Sequence, residues 1–203
     1  MNKAVFSLAV FLLMMAAVRL ENVQAADDWI IHVFTQIRTP IFNQTFLFLT
    51  DFGASKHLLT IIVIVALFLI LLKKIVPSLL LFLLYFTERV ANEGMKLIVH
   101  RQRPHYHPLA TETSFSFPSG HSMNTASIYL FIAFLLITYI PFFYQHKRST
   151  WFFAFSLVFL IGISRIYTGV HFLTDVIAGW SLGYCFYLLF KKIDERMLAI
   201  RQN

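Results

Sequence analysis

The sequence predicts an all-α integral membrane bundle: six transmembrane helices, with an interfacial amphipathic helix after the first. Hydrophobic residues make up 58% of the 203-residue chain and charged residues 13%, against about 45–50% and about 25% in soluble domains. The apolar residues also fall into runs near the roughly 20 residues that a spanning helix needs, rather than into one-sided stripes. The length fits a single membrane-embedded domain over 1–203. A net charge of +7 calls for no nucleic-acid partner, because membrane proteins gather Lys and Arg in cytoplasmic loops. Cys185 has no second cysteine, which excludes a disulfide within the chain and leaves no cysteine-based metal site.

The first candidate span runs from Ala4 to Val18. It is short, and Val23-Gln24-Ala25 behind it resembles a signal-peptidase site; a retained helix is the favoured reading. Next come Trp29, Ile30, Val33, Phe34 and Ile37 at helical spacing behind Asp27 and Asp28, the pattern of a helix lying in the membrane interface. Thr39-Pro40 should end it, since a residue before proline resists the helical region. Phe46 to Phe52 is a further apolar piece expected to pack on the bundle. The remaining spans are His57 to Leu72, Ile75 to about Val99, Ser122 to Phe143, Trp151 to about Tyr167, and about His171 to Phe190. In this layout Lys3, Lys73, Lys74, Lys147, Arg148, Lys191, Lys192, Arg196 and Arg201 share one side. Arg19, Arg38, Lys56, Lys96, Arg101, Arg103 and Arg165 lie on the other. The excess marks the first side as cytoplasmic, giving a multi-pass cell-membrane protein with its polar loops at the extracytoplasmic face.

Two of those outer regions hold the chemistry. One contains Lys96, Arg103-Pro104 and Pro118-Ser119-Gly120-His121; the other contains Ser164-Arg165, His171 and Asp175. Lys96, Arg103 and Arg165 supply cationic donors, and arginine forks suit phosphate oxygens. The amides of Ser119, Gly120 and His121 at the start of a helix would face the same anion. His171 and Asp175 stand one helical turn apart, so the carboxylate can hold one imidazole nitrogen as N–H and leave the other as a nucleophile. His121 is then free to protonate a departing oxygen. These are the parts of a phosphoryl transfer through a phosphohistidine, with no cofactor and no metal. His121 and Ser164 enclose 42 residues, enough for two crossings of about 20 residues and a tight turn, which returns both motifs to one membrane face.

Lys96-(six residues)-Arg103-Pro104, Pro118-Ser119-Gly120-His121 and Ser164-Arg165-(five residues)-His171-(three residues)-Asp175 resemble the three-part signature of the type 2 phosphatidic acid phosphatase family, with every signature position in agreement. The resemblance implies phosphate binding by Lys96, Arg103, Ser119, Gly120, His121 and Arg165, attack by His171, orientation by Asp175 and leaving-group protonation by His121. It implies a metal-independent lipid phosphatase, a phosphoric ester hydrolase whose partners are its membrane lipid substrate and the bilayer. The small size is similar to that of bacterial members acting on phosphatidylglycerophosphate, which favours that substrate; undecaprenyl diphosphate is the rival and phosphatidic acid third. Soluble vanadium-dependent haloperoxidases share the signature, but the hydrophobic spans argue against that branch.

Plainer readings attach to other residues. Arg101 has no signature position and reads as a helix-end charge reaching the headgroups. Arg89 and Glu93, one turn apart inside a span, read as a structural ion pair; alternatively Glu93 orients Lys96 or lines the headgroup pocket. His100, His105 and His107 read as loop or headgroup-contact residues rather than metal ligands. Gly179 and Gly183 match the small-residue helix-packing pattern, used within the bundle in preference to a homodimer. The Asn43-Gln44-Thr45 sequon is a weak signal. A transporter would call for broken helices or inverted repeats, neither of which the sequence displays. A lipid-binding scaffold would not need both histidines.

Overall fold

The computed structural model describes residues 3–202. In chain order the helices are α1 (Lys3–Ala17), α2 (Glu21–Gln36), α3 (Pro40–Asp51), α4 (Ser55–Leu71), α5 (Ile75–Val99), α6 (Gly120–Tyr139), α7 (Pro141–Gln145), α8 (Lys147–Tyr167) and α9 (Leu173–Gln202), with no strand among the described residues. Helices α5, α6, α8 and α9 are each long and apolar enough to cross a membrane. The number rises to six if α1 with α2, and α3 with α4, each form one bent span.

Helix α6 is the centre of the bundle. Apolar residues cover all its faces, the pattern of a helix buried all round, and Met123, Ile128, Phe131 and Leu135 are fully buried. Its closest neighbour is α9. A Cβ at Gly179 would stand 2.6 Å from the Ser119 carbonyl oxygen, and one at Gly183 would stand 2.4 Å from that of Met123. The two glycines therefore let the α6 and α9 backbones touch, and their small-residue seam is used inside the bundle. Helix α1 lies along the other side of α9, where the Ser7 hydroxyl donates to the Ser181 carbonyl at 2.8 Å.

Several boundaries depart from the sequence reading for identifiable reasons. Helix α2 begins at Glu21, well before Trp29, and leaves α1 at 96°. Its Trp29 is exposed and its Ile31 buried, but so is Asp27, at 2% exposure, which the amphipathic pattern places among the solvated charges. Phe46 to Phe52 belongs to a full helix, α3, which Thr39 caps by accepting from the Phe42 amide at 3.2 Å, with Pro40 opening it as proline at a first turn does. Helices α3 and α4 meet at 50°, a broken element that the apolar runs do not reveal. Helix α6 stops at Tyr139 because Ile140, ahead of Pro141, is extended (φ −126°, ψ 115°), as pre-proline sterics require. Helix α9 continues past Phe190 to Gln202. No glycine or proline interrupts that stretch, the Tyr139 hydroxyl donates to Asp194 at 2.8 Å, and Lys191 pairs with Glu195 one turn on at 3.7 Å.

Candidate active site

The α3–α4 bend, the end of α5, the start of α6, the end of α8 and the start of α9 converge at one pole, roofed by the segment 100–119. Backbone bonds fix that roof. The Ser116 amide donates to the Arg101 carbonyl at 2.8 Å, the Leu109 amide to Thr168 at 2.8 Å, and the Ser119 amide to the Asp175 carbonyl at 3.0 Å. Asn92 on α5 donates its side-chain N–H to the Pro118 carbonyl at 3.3 Å, and the Phe117–Pro118 peptide is cis. Ser119 caps α6 by accepting from Ser122. Its own N–H is spent on Asp175, so the amides of Gly120 and His121, which lie in the first turn and lack intrahelical partners, are the two left for an anion. Gly53 leaves room for the His121 ring: a Cβ there would stand 2.9 Å from its Cδ2.

The three signature cations surround one space. Lys96 is buried on α5, donating to the Ser114 hydroxyl at 2.8 Å and pairing with Glu93 at 3.6 Å. Arg103 donates from Nε to the Ser114 carbonyl at 2.6 Å and from Nη1 to the Val170 carbonyl at 2.9 Å, with Nη1 also 3.2 Å from His171 Nε2. Arg165 is 2% exposed and donates to Thr50 Oγ1 at 2.7 Å and to Glu112. Its Nε is buried with no partner. A buried N–H without an acceptor is costly. Glu112 meanwhile bridges two of the cations, bonding Arg165 and lying 3.8 Å from Arg103 Nη2: a carboxylate stands between the forks that the sequence reading reserves for phosphate. Burial would raise the Glu112 carboxyl, but Arg165, Arg103 and His171 outweigh it and hold the group below its ordinary range. A cavity of about 170 Å³ lined by Asn92, Lys96, Glu112, Gly120 and His121 adjoins one of about 580 Å³ around Glu93, Lys96, Arg103 and Glu112.

His171 is 2% exposed, on the link between α8 and α9. Burial pulls its imidazole down to about 4; Asp175 opposes that shift and Arg103 reinforces it, so the ring is neutral at physiological pH. Asp175 is fully buried. Its Oδ1 accepts from Arg101 at 2.7 Å; its Oδ2 accepts from the Ser116 hydroxyl at 2.5 Å and the Phe172 amide at 2.9 Å. Asp175 Oδ2 pairs with His171 Nδ1 at 3.6 Å, and Ser116 Oγ lies beside both, 3.3 Å from Nδ1.

Lys96, Arg103, Ser119, Gly120, His121, Arg165, His171 and Asp175 thus gather at one pole, and two expectations change. Arg101 is no headgroup anchor: it bonds Asp175 and Asp27 at 2.7 Å each, so α2 reaches into the site through a carboxylate that the amphipathic pattern disguised. Arg89 does not pair with Glu93; it donates to Ser55, and Glu93 takes the alternative partner, Lys96. Asp175 pairs with His171 at 3.6 Å, and Ser116 adds a second contact to the same ring nitrogen. Ser116, Ser114 and Glu112 went unnoticed because each is one polar residue in a polar loop, without a spacing to mark it. Among the described residues no three His, Cys, Asp or Glu side chains converge as a metal site would require. Asn43 accepts from the Tyr167 hydroxyl at 2.8 Å.

A helical bundle of this hydrophobicity, carrying a buried neutral histidine beside cationic forks, defines a membrane-embedded lipid phosphatase, a phosphoric ester hydrolase. The chain belongs to the PAP2 superfamily, which residues 77–197 match. It is 41% identical to phosphatidylglycerophosphatase B of Bacillus subtilis (strain 168) over 203 residues, all of both chains. The crystal structure of a transmembrane PAP2 type phosphatidylglycerolphosphate phosphatase from Bacillus subtilis superposes with a TM-score of 0.94 at 41% identity, covering 97% of this chain and 98% of that one. The structure of LpxE from Aquifex aeolicus gives 0.63 at 25% identity over 80% and 92%.

Proposed function

We propose that this protein removes the terminal phosphate of phosphatidylglycerophosphate at the extracytoplasmic face of the cell membrane. The carrying observation is that Arg103, which lines the cavity, sets its Nη1 3.2 Å from His171 Nε2: a donor suited to phosphate oxygens stands against a nitrogen nucleophile. The lipid is chosen by the full-length similarity to a relative named for that substrate, and by the site's position at the end of the helices, where a headgroup would lie with its acyl chains along the bundle.

The reading assigns roles as follows. Lys96, Arg103, Arg165 and the amides of Gly120 and His121 bind the phosphate oxygens, displacing Glu112; Ser119 caps the helix that presents those amides. Glu93 orients Lys96. The His171 Nε2 lone pair attacks phosphorus, the P–O bond to the glycerol breaks, and His121 donates a proton to the leaving alkoxide. Water, giving a proton back to His121, then attacks the phosphohistidine and releases phosphate, restoring His171. Asp175 and its partners stabilise the positive charge that His171 acquires on attack.

The test is phosphate release from phosphatidylglycerophosphate, phosphatidic acid and undecaprenyl diphosphate in one detergent. The first should give the highest kcat/KM, and His171→Ala should abolish release from all three. A higher kcat/KM for undecaprenyl diphosphate would transfer the assignment to that lipid; full activity in His171→Ala would remove the nucleophile. Treatment with a chelator should leave turnover unchanged.

A further inference from the structure

We propose that Ser116 is a positioning residue for His171: together with Asp175 its hydroxyl holds Nδ1 as N–H and so keeps Nε2 as the unprotonated nitrogen that attacks phosphorus. The inference rests on the reading of His171 as nucleophile and supplies what holds the ring in the reactive tautomer.

The bonding around His171 closes in only one way. Arg103 Nη1, 3.2 Å from Nε2, is a donor with no acceptor capacity, so Nε2 must present its lone pair and Nδ1 must carry the proton. That N–H needs an acceptor. Asp175 Oδ2, at 3.6 Å, is the longer contact and also accepts from the Phe172 amide. Ser116 Oγ is the nearer acceptor, at 3.3 Å. A hydroxyl has one proton, and at 2.5 Å from Asp175 Oδ2 Ser116 commits it to the carboxylate, leaving its lone pairs for Nδ1–H. The chain then reads Arg103 N–H to Nε2, Nδ1–H to Ser116 Oγ and Asp175, and Ser116 O–H to Asp175; the Nε2 lone pair is freed for attack when the phosphate oxygens take over the Arg103 N–H. As Nε2 bonds phosphorus the ring gains positive charge and its Nδ1–H becomes a stronger donor. A serine polarised by a carboxylate is then a stronger acceptor, and no proton needs to move.

Ser116 is held for this task. It is fully buried, its amide is bonded to the Arg101 carbonyl at 2.8 Å, and the Arg101 guanidinium holds the other Asp175 oxygen at 2.7 Å. One loop closure therefore fixes the hydroxyl and the carboxylate together.

The experiment compares wild type, Ser116→Ala and Ser116→Cys with phosphatidylglycerophosphate ³²P-labelled on its terminal phosphate, quenching in alkali to preserve phosphohistidine. Ser116→Ala should slow phosphoenzyme formation and kcat by about 10- to 100-fold, the cost of losing one hydrogen bond to a group that becomes charged. KM and inhibition by inorganic phosphate should stay within about twofold, and Ser116→Cys should fall between. A rate within about threefold of wild type in Ser116→Ala overturns the proposal. So does a rise in KM and in the phosphate inhibition constant that parallels the fall in kcat, which would mark Ser116 as structural. Absence of any alkali-stable phosphoenzyme in wild type takes the nucleophile reading down as well, and is thereby distinguished. Nitrogen NMR of ¹⁵N-histidine-labelled wild type needs no folded variant: the His171 signals, identified by their loss in His171→Gln, should show Nδ1 protonated, and an Nε2–H tautomer overturns the assignment.

Discussion

Glu112 shows how a single side chain sets the terms of binding. It occupies the space between Arg165 and Arg103, so an incoming phosphate competes with a tethered carboxylate for the same donors. Glu112→Gln should lower KM and the inhibition constant for inorganic phosphate together, by about threefold to tenfold, with little change in kcat, because a ground-state competitor is being removed. Steady-state kinetics with phosphate as product inhibitor reads both. The neutral burial of His171 has a consequence in folding. With its ordinary value of 6.5 lowered to about 4 in the fold, the unfolded chain binds the extra proton between those limits. The contribution to stability is complete above about pH 6.5 and is lost as pH falls toward 4, by up to roughly 3 kcal/mol. His171→Gln should flatten the decline of melting temperature across that window, and parallel curves for the two proteins would contradict the assignment.

Helix pairing, by contrast, is decided by what is missing. At Gly183 a methyl group would lie 2.4 Å from a backbone oxygen of α6, and a backbone cannot yield as a flexible side chain does. Gly183→Ala should therefore destabilise by about 1–3 kcal/mol, whereas Gly94→Ala, with nothing within 4 Å, should be neutral or stabilising by up to about 1 kcal/mol. Thermal unfolding in one detergent separates the two. These elements also show what sequence reveals and conceals. Ile75 to Val99 was legible to the residue, because lysines precede it and an apolar run defines it. The signature residues were legible because their chemistry demands fixed types at fixed spacing. Asp27 on the inner face of α2 and the Ser116 contact were not legible, since each depends on a tertiary neighbour more than 50 positions away. Asp27 carries its own expectation. It bonds Arg101 and Thr174, so Asp27→Ala should leave a buried guanidinium short of a partner. Stability should fall by a few kcal/mol, and kcat should fall with it as Asp175 loosens.

For the molecule as a whole, the structure sharpens the charge asymmetry on which orientation depends. Counted raw, the cations on the two sides nearly balance. Lys96, Arg101, Arg103 and Arg165, however, are engaged within the site, and Arg38 donates to the Tyr167 carbonyl at 2.8 Å and the His107 carbonyl at 2.6 Å. Removing these from the count leaves Arg19 and Lys56 as the cations on the site's side, against Lys73, Lys74, Lys147, Arg148, Lys191 and Lys192 at the links and helix end of the other. Positive residues in short loops favour the cytoplasm, so the pole bearing the site should face outward. In a Cys185→Ser background, Thr111→Cys in the exposed roof should react with a membrane-impermeant thiol reagent on intact cells, while Arg148→Cys should react only after permeabilisation. The reverse pattern would put the site in the cytoplasm. It would also mean that loop charge does not set this chain's orientation, since the raw count and the corrected one both favour an outward site.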